Sequence, residues 1–375
     1  KYIVELNAGY NGSDRFKAQN RYGLFPAVSA GWNVSEEQFF KDHVPFINHF
    51  KLRGSYGITG SDDVGGNRYI YEEVYTRSTG AYYFGEVPTA DERILPGTLA
   101  NQNVRWEKER KLNLGAELKL FKSKLEIVVD YFDNFRYDIL TQRESVPLYT
   151  GLSLPPVNIG KVSNKGFEVE ITHRNNVGKH ISYFTRGNFS FAKNRIVFRD
   201  EPANAANPLL ARTGRPIGQL YGYISEGFYY DDADIAKSPQ VVGRAVKPGD
   251  IKFKDVNGDG KIDQADIGPI GYPNIPQITY GFTTGFSYKG FDISALFQGA
   301  ARGSLMASTL LQIGNANGVP SAIHQKRWTP ETRDVAEYPR LGGVTFDAST
   351  FWLRPTDYLR LKNVELGYRM PKQVT

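Results

Sequence analysis

From Thr279 to Gln298 the chain reads TYGFTTGFSYKGFDISALFQ, and apolar and polar positions alternate along it. Tyr280, Phe282, Thr284, Phe286 and Tyr288 share one face, while Thr279, Gly281, Thr283, Gly285 and Ser287 share the other. A period of two is the signature of a strand. After Lys289-Gly290 the alternation resumes, with Phe291, Ile293, Ala295 and Phe297 set against Asp292, Ser294 and Gln298. A two-residue link containing Gly suits a tight hairpin, because Gly reaches positive φ without a Cβ clash. Each arm has the roughly 9–11 residues of a membrane-spanning strand, whereas sandwich strands average about 5–6. Tyr280 and Tyr288 bracket the apolar face at a spacing of roughly 26 Å, close to the height of a lipid-facing band between two aromatic girdles.

The same pattern recurs along the chain. Tyr2, Val4, Leu6, Ala8 and Tyr10 predict a first strand; Pro26, Val28, Ala30, Trp32 and Val34 a second. Ser35-Glu36-Glu37 predicts a short helix through Phe40 with Ser35 as its N-cap. Leu52 to Ile58, Leu112 to Leu120 and Leu125 to Tyr131 give three more strands, the last two joined at Phe121-Lys122-Ser123-Lys124. Phe167, Val169 and Ile171 mark a sixth, and a turn near Asn175 to Gly178 leads into a seventh through Ile181, Tyr183, Phe189 and Phe191. The hairpin supplies two strands, and Tyr358 to Arg369 the last, where Leu359 and Leu361 break phase as a β-bulge would. Long connections follow the first, third, fifth, seventh and ninth strands, and shorter links follow the others. That asymmetry predicts an all-β, antiparallel transmembrane β-barrel of which the chain supplies about ten strands, with long loops on one side and tight turns on the other. The longest irregular region is expected over 192–278.

Composition changes this picture little. The chain has 375 residues with no Cys, which excludes a disulfide scaffold or a thiolate metal site. No apolar run approaches 18 residues, so no transmembrane helix is expected. The net charge of +6 is spread without a basic block, and no nucleic-acid partner is indicated. The five His show no metalloprotease spacing, and no nucleophile elbow or phosphate-cradling loop is present, so no catalytic residue is assigned and the chain is read as no enzyme.

One local motif stands out. Asp255, Asn257 and Asp259, then Gly260, Lys261, Asp263 and Asp266, follow the D-x-[DN]-x-[DN]-G calcium-loop pattern. Oxygen donors fall at positions one, three, five and nine, Lys261 would ligate through its backbone carbonyl, and Asp266 replaces the usual Glu at twelve. The expectation is a Ca2+ ion at 255–266 that stiffens a long loop; an Asx-rich turn bonded to its own backbone is the plain alternative. Tyr82, Tyr83, Trp106, Tyr221, Tyr223, Trp328 and Trp352 are loop aromatics that suit stacking on a sugar or peptide ligand, or packing the loops together.

Several segments together resemble the SusC/RagA family of TonB-linked outer-membrane transporters. They are RYGLFPAVSAGWNVSEEQF at 21–39, KLRGSYGITGS at 51–61, NVRWEKERKLNLGAELKLF at 103–121, VDYFDN at 129–134, GDIKFKDVNGDGKID at 249–263 and DYLRLKNVELGY at 357–368. The resemblance implies a barrel of about 22 strands in a Bacteroidetes-type outer membrane, filled by a plug domain. It implies import of oligosaccharides or peptides beneath a SusD-like lipoprotein lid, driven by the TonB complex, with membrane lipid around the wall. Plug and TonB-contacting segment have no counterpart here, so residues 1–375 are expected to be the C-terminal portion of such a barrel, with long loops extracellular and short turns periplasmic. A soluble or surface calcium-stiffened carbohydrate-binding β protein is the alternative from another class.

Overall fold

The computed structural model describes residues 1–66, 68–78, 83–84, 89–90, 93–146, 151, 153–203, 207–307, 325–341 and 347–370. Ten strands form one antiparallel sheet. They are β1 (Tyr2–Gly12), β2 (Tyr22–Asn33), β3 (Ile47–Ser61), β4 (Glu107–Leu120), β5 (Leu125–Thr141), β6 (Val157–Val177), β7 (Ile181–Phe198), β8 (Ile278–Tyr288), β9 (Phe291–Ala301) and β10 (Tyr358–Tyr368). Each pairs with the next in sequence, so the sheet is a simple meander with β1 and β10 as its open edges. The register carries the alternation from strand to strand: Tyr183 faces Phe286, and Phe286 faces Ile293.

Among the described residues no second large sheet covers the apolar face. Phe282 is 43% exposed, Phe286 45% and Ile293 48%, so the outer face meets the surroundings instead of a protein interior. Aromatic rings close both ends of that face. Tyr2 stacks on Trp32 and Phe291 packs on Tyr368 at the short-turn end, while Tyr10 stacks on Tyr22 at the other.

The hairpin turn takes the conformation its sequence demands, with Lys289 at φ 47° and Gly290 at φ 93°. A Cβ on Gly290 would lie 2.9 Å from the Arg369 carbonyl oxygen, so the position needs glycine twice over. The turn between β4 and β5 places Phe121, Lys122 and Ser123 at positive φ without a glycine, and Asn48 Oδ1 accepts from the Ser123 amide at 3.1 Å. In β10 the ladder steps from Asn363 opposite Leu296 to Leu361 opposite Phe297, which leaves Lys362 as the expected bulge.

Two expectations need correction. Ser35 does not cap the short helix: it is buried in a 3-10 turn over Val34–Glu36, and the α-helix Gln38–His43 begins after Glu37. Glu37 holds extended backbone just before the helix, and its carboxylate accepts from Lys1 at 2.9 Å and from the Trp32 indole at 3.2 Å. The irregular region also begins after Ala192, because β7 runs on to Phe198. Strand β6 similarly starts at Val157, well before Phe167. These extensions rise past the apolar band, where nothing requires an alternating apolar face, and the period of two fades there.

Candidate channel wall and outer loops

The inner face of the sheet is charged and hydrogen-bonded across strands. Arg53 on β3 donates from Nε to Glu117 Oε1 at 3.0 Å, from Nη1 to Asn113 Oδ1 at 3.1 Å, and from Nη2 to Asp130 Oδ2 at 2.7 Å. Lys51 Nζ lies 3.9 Å from the same Glu117 carboxylate. Arg53 thereby reaches over β4 to β5. The position it crosses is Gly115, which pairs with Arg53 on one side and Asp130 on the other. A Cβ there would stand 2.7 Å from Arg53 Cζ and 2.8 Å from Asp130 Oδ1. The sequence offered charged inner-face residues in general; the Arg-Gly-Asp crossing becomes legible only once the register is known.

Toward the short turns the inner face opens into a hollow of about 830 Å³, lined by Lys124, Thr172, Arg174, Arg186, Thr283 and Ser287 among others. Arg186 pairs with Glu170 at 3.2 Å, and Arg174 lies 3.9 Å from Glu126. The wall there presents a mixed-charge surface with cations foremost.

At the opposite end the long loops build cores of their own. Phe16, Phe25, Val64, Ile70, Val104 and Trp106 bury one another. Trp106 is nearly enclosed, and its indole donates to the Arg21 carbonyl at 3.1 Å. Val241, Ile251, Phe253, Ile262 and Trp352 form a second core. Trp352 is 0% exposed and meets Phe351 edge-on; both tryptophans pack loops together. Tyr223 stacks on Phe253 at 4.8 Å, and its backbone amide and carbonyl bond to Ala348 and Thr350, tying the β7–β8 loop to the β9–β10 loop. Tyr221 donates to the Ala211 carbonyl at 3.0 Å. Burial raises the hydroxyl pKa of Tyr221, Tyr223 and Tyr229 above the usual phenol value. Trp328 is half-buried over Gly249, where a Cβ would stand 2.5 Å from its ring. Tyr83 lies in a two-residue strand, Tyr83–Phe84, with its side chain outside the described residues, as is all of Tyr82. Lys252, donating at 2.7 Å, holds the Asp234 carboxyl below its ordinary value.

The motif at 255–266 follows the buried strand Ile251–Phe253. Asp255 accepts from the Gly258 amide at 2.6 Å and the Gly260 amide at 2.8 Å. Asn257 accepts from the Asp259 amide, and Asp259 from that of Lys261. Asp263 accepts from Ala265, and the fully buried Asp266 accepts from Val256 at 2.7 Å and Asp263 at 2.9 Å. These bonds hold the loop through its own backbone. Among the described residues no three of His, Cys, Asp and Glu converge as metal ligands.

The Arg53 crossing generates a test. Gly115→Ala is expected to push the guanidinium off Asp130 and to lower stability by about 1 kcal/mol, the scale of a partly exposed ion pair. The same substitution in an Arg53→Ala background is expected to cost clearly less, because only the contact with Asp130 remains and that carboxylate is free to turn away. Thermal unfolding of the four proteins checks this; equal losses in both backgrounds would place the cost in the clash with Asp130 and not in the Arg53 crossing.

Comparisons with known proteins agree with this architecture. The family model described as "TonB dependent receptor-like, beta-barrel" matches residues 2–375. TonB-dependent receptor P3 of Formosa agariphila is 31% identical over 99% of this chain and 37% of its own length. TonB-dependent receptor SusC of Bacteroides thetaiotaomicron is 27% identical over 98% of this chain and 36% of its own. The RagAB peptide importer in its open-open state superposes with a TM-score of 0.79 at 19% identity, over 100% of this chain and 39% of that one. The chain thus spans less than two-fifths of the length of these relatives. No helix among the described residues is long and apolar enough to cross a membrane. By its sequence over nearly every residue and by its sheet, the chain belongs to the TonB-dependent receptor β-barrel family of outer-membrane transport proteins.

Proposed function

We propose that this chain forms the wall and the outer loops of a transporter that imports oligosaccharides or peptides with a SusD-like surface lipoprotein and energy from TonB. The observation that carries the reading is the two-sided sheet: an exposed, mainly apolar outer face backs a polar inner face, charged on β3 to β7 and hydroxyl- and glycine-rich on β8. Open edges at β1 and β10 support a longer barrel, since unpaired backbone groups are not tolerated in lipid. The long loops lie at one end, and their buried cores give them the fixed shape a ligand or lid surface requires. We place that end outside the cell and the short turns in the periplasm. Substrate class follows the names of the relatives, SusC and the RagAB peptide importer, and is part of the proposal.

Affinity purification of the full-length transporter from detergent-solubilised outer membranes tests this reading. Co-purification of a surface lipoprotein, with uptake of labelled oligosaccharide or peptide that ceases when TonB is deleted, is the expected result. Recovery of the protein from cells without detergent would overturn it in favour of a soluble β protein.

The proposal includes a divalent cation at 255–266, supported by oxygen-bearing side chains at Asp255, Asn257, Asp259 and Asp263 on one tight turn. Millimolar calcium is then expected to raise the unfolding temperature over that in chelator, and to lose this effect in Asp255→Ala. An unchanged temperature would leave the loop to its own hydrogen bonds.

A further inference from the structure

On the outer face, just beyond the apolar band toward the long loops, three successive rungs cross β5, β6 and β7. The first is aromatic: Tyr131, Phe167 and Phe191 lie side by side, with Phe167 5.8 Å from both Phe189 and Phe191. The second is charged, with Asp133 opposite Lys165 and Lys165 opposite Lys193. The third sets Phe135, Ser163 and Arg195 in a row. A groove of about 640 Å³ runs over them, lined by Tyr131, Phe167 and Phe191 below and Lys165, Lys193 and Arg195 above. The guanidinium of Arg302 adds a fourth cation, 5.7 Å from the centre of the Phe191 ring.

Charge is unbalanced here. Asp133 holds Lys165 at 2.7 Å, and it is the one acidic group on these rungs. Lys193 and Arg195 are exposed and have no acidic partner among the described residues. Like charges directly opposite on neighbouring strands repel, so the Lys165–Lys193 pair is unfavourable unless an anion sits between them. Isolated surface lysines would be solvated singly; a cluster of cations seated on a shelf of aromatic rings calls for a ligand that is anionic above and apolar below.

We propose that this groove binds a phosphorylated glycolipid of the outer leaflet, its phosphate on Lys193 and Arg195 and an acyl chain along Phe167 and Phe191. The assignment rests on the orientation proposed above, which puts the groove at the outer leaflet, where an outer membrane carries phosphorylated glycolipid. Charge-assisted bonds fix the phosphate, and the aromatic rung takes the chain at the point where lipid gives way to headgroup. An ordered lipid here would also brace β5–β7 where they leave the membrane.

The test uses the full-length transporter in detergent, titrated with purified bis-phosphorylated lipid A, its dephosphorylated form, and phosphatidylglycerol. Lysine and arginine contacts to phosphate imply about a tenfold weakening for each cation removed. Lys193→Ala/Arg195→Ala is therefore expected to weaken lipid A binding at least tenfold, and dephosphorylation to do the same to the wild-type protein. Lys193→Arg/Arg195→Lys keeps the charges and is expected to bind as the wild type does, as is Lys122→Ala/Lys124→Ala at the opposite rim. Unchanged binding by the Lys193/Arg195 double-alanine protein, an equal loss in the charge-preserving variant, or phosphatidylglycerol binding as tightly as lipid A would each overturn the proposal. Detergent-dependent extraction combined with any of those results removes the lipid site alone; extraction without detergent removes the barrel reading beneath it.

Discussion

Backbone hydrogen bonding in a medium without water is the constraint on which the rest of this structure depends. A strand that enters lipid must bond every amide and carbonyl to its neighbours, and a sheet does so only if the pairing is unbroken. The meander from β1 to β10 meets that demand in the simplest way, each strand hydrogen-bonded to its sequence neighbour. Once the ladder is fixed, side chains have only two directions available, and the period of two decides which environment each one meets. Tyr, Phe, Leu and Val on the outer face, and Arg, Lys, Glu and Asn on the inner, follow from that division.

The inner face shows how charges are accommodated on such a wall. Arg53 satisfies three partners on two strands at once, and the missing side chain at Gly115 opens the lane it lies in. On the outer face Tyr280 likewise covers Gly299 and donates to the Tyr358 carbonyl, and on the inner face Phe184 lies over Gly285. Large side chains laid flat across glycines keep the wall thin and leave the channel side open. The outer loops follow another logic. They bury Trp106 and Trp352 in small cores and bond Asp255 and Asp266 to their own amides, so their shape is set by local packing and not by the sheet.

How much of this was legible in the sequence varies with the environment of each segment. The ten strands were readable wherever apolar and polar positions alternate, and the bulge signalled by Leu359 and Leu361 falls at Lys362. The extensions Val157–Gly166 and Ala192–Phe198 were not, because strands standing above the membrane carry Lys165, Lys193 and Arg195 where apolar residues would have announced them. The helix start after Glu37 was missed because Val34–Glu36 form a 3-10 turn that buries Val34 and Ser35, a packing the local sequence does not announce. The loop aromatics could not be sorted into packing and ligand-facing residues, since burial of Trp106 or Trp352 depends on loops folding back across long separations. The spacing of the aspartates at 255–266 points to a metal loop with a self-bonded turn as the alternative, and it does not show which backbone amides each carboxylate reaches.

The absence of cysteine from all 375 residues makes the central claim directly measurable. Single cysteines introduced in turn from Thr279 to Tyr288 of the full transporter in liposomes can carry a spin label, whose collisions with lipid-soluble oxygen and water-soluble nickel complex are then compared. Labels at Tyr280, Phe282, Thr284, Phe286 and Tyr288 should favour oxygen, and those at Thr279, Gly281, Thr283, Gly285 and Ser287 should favour nickel, with a strict period of two. A flat profile, or one in which both faces are shielded from both reagents, would contradict a wall with lipid on one side and water on the other.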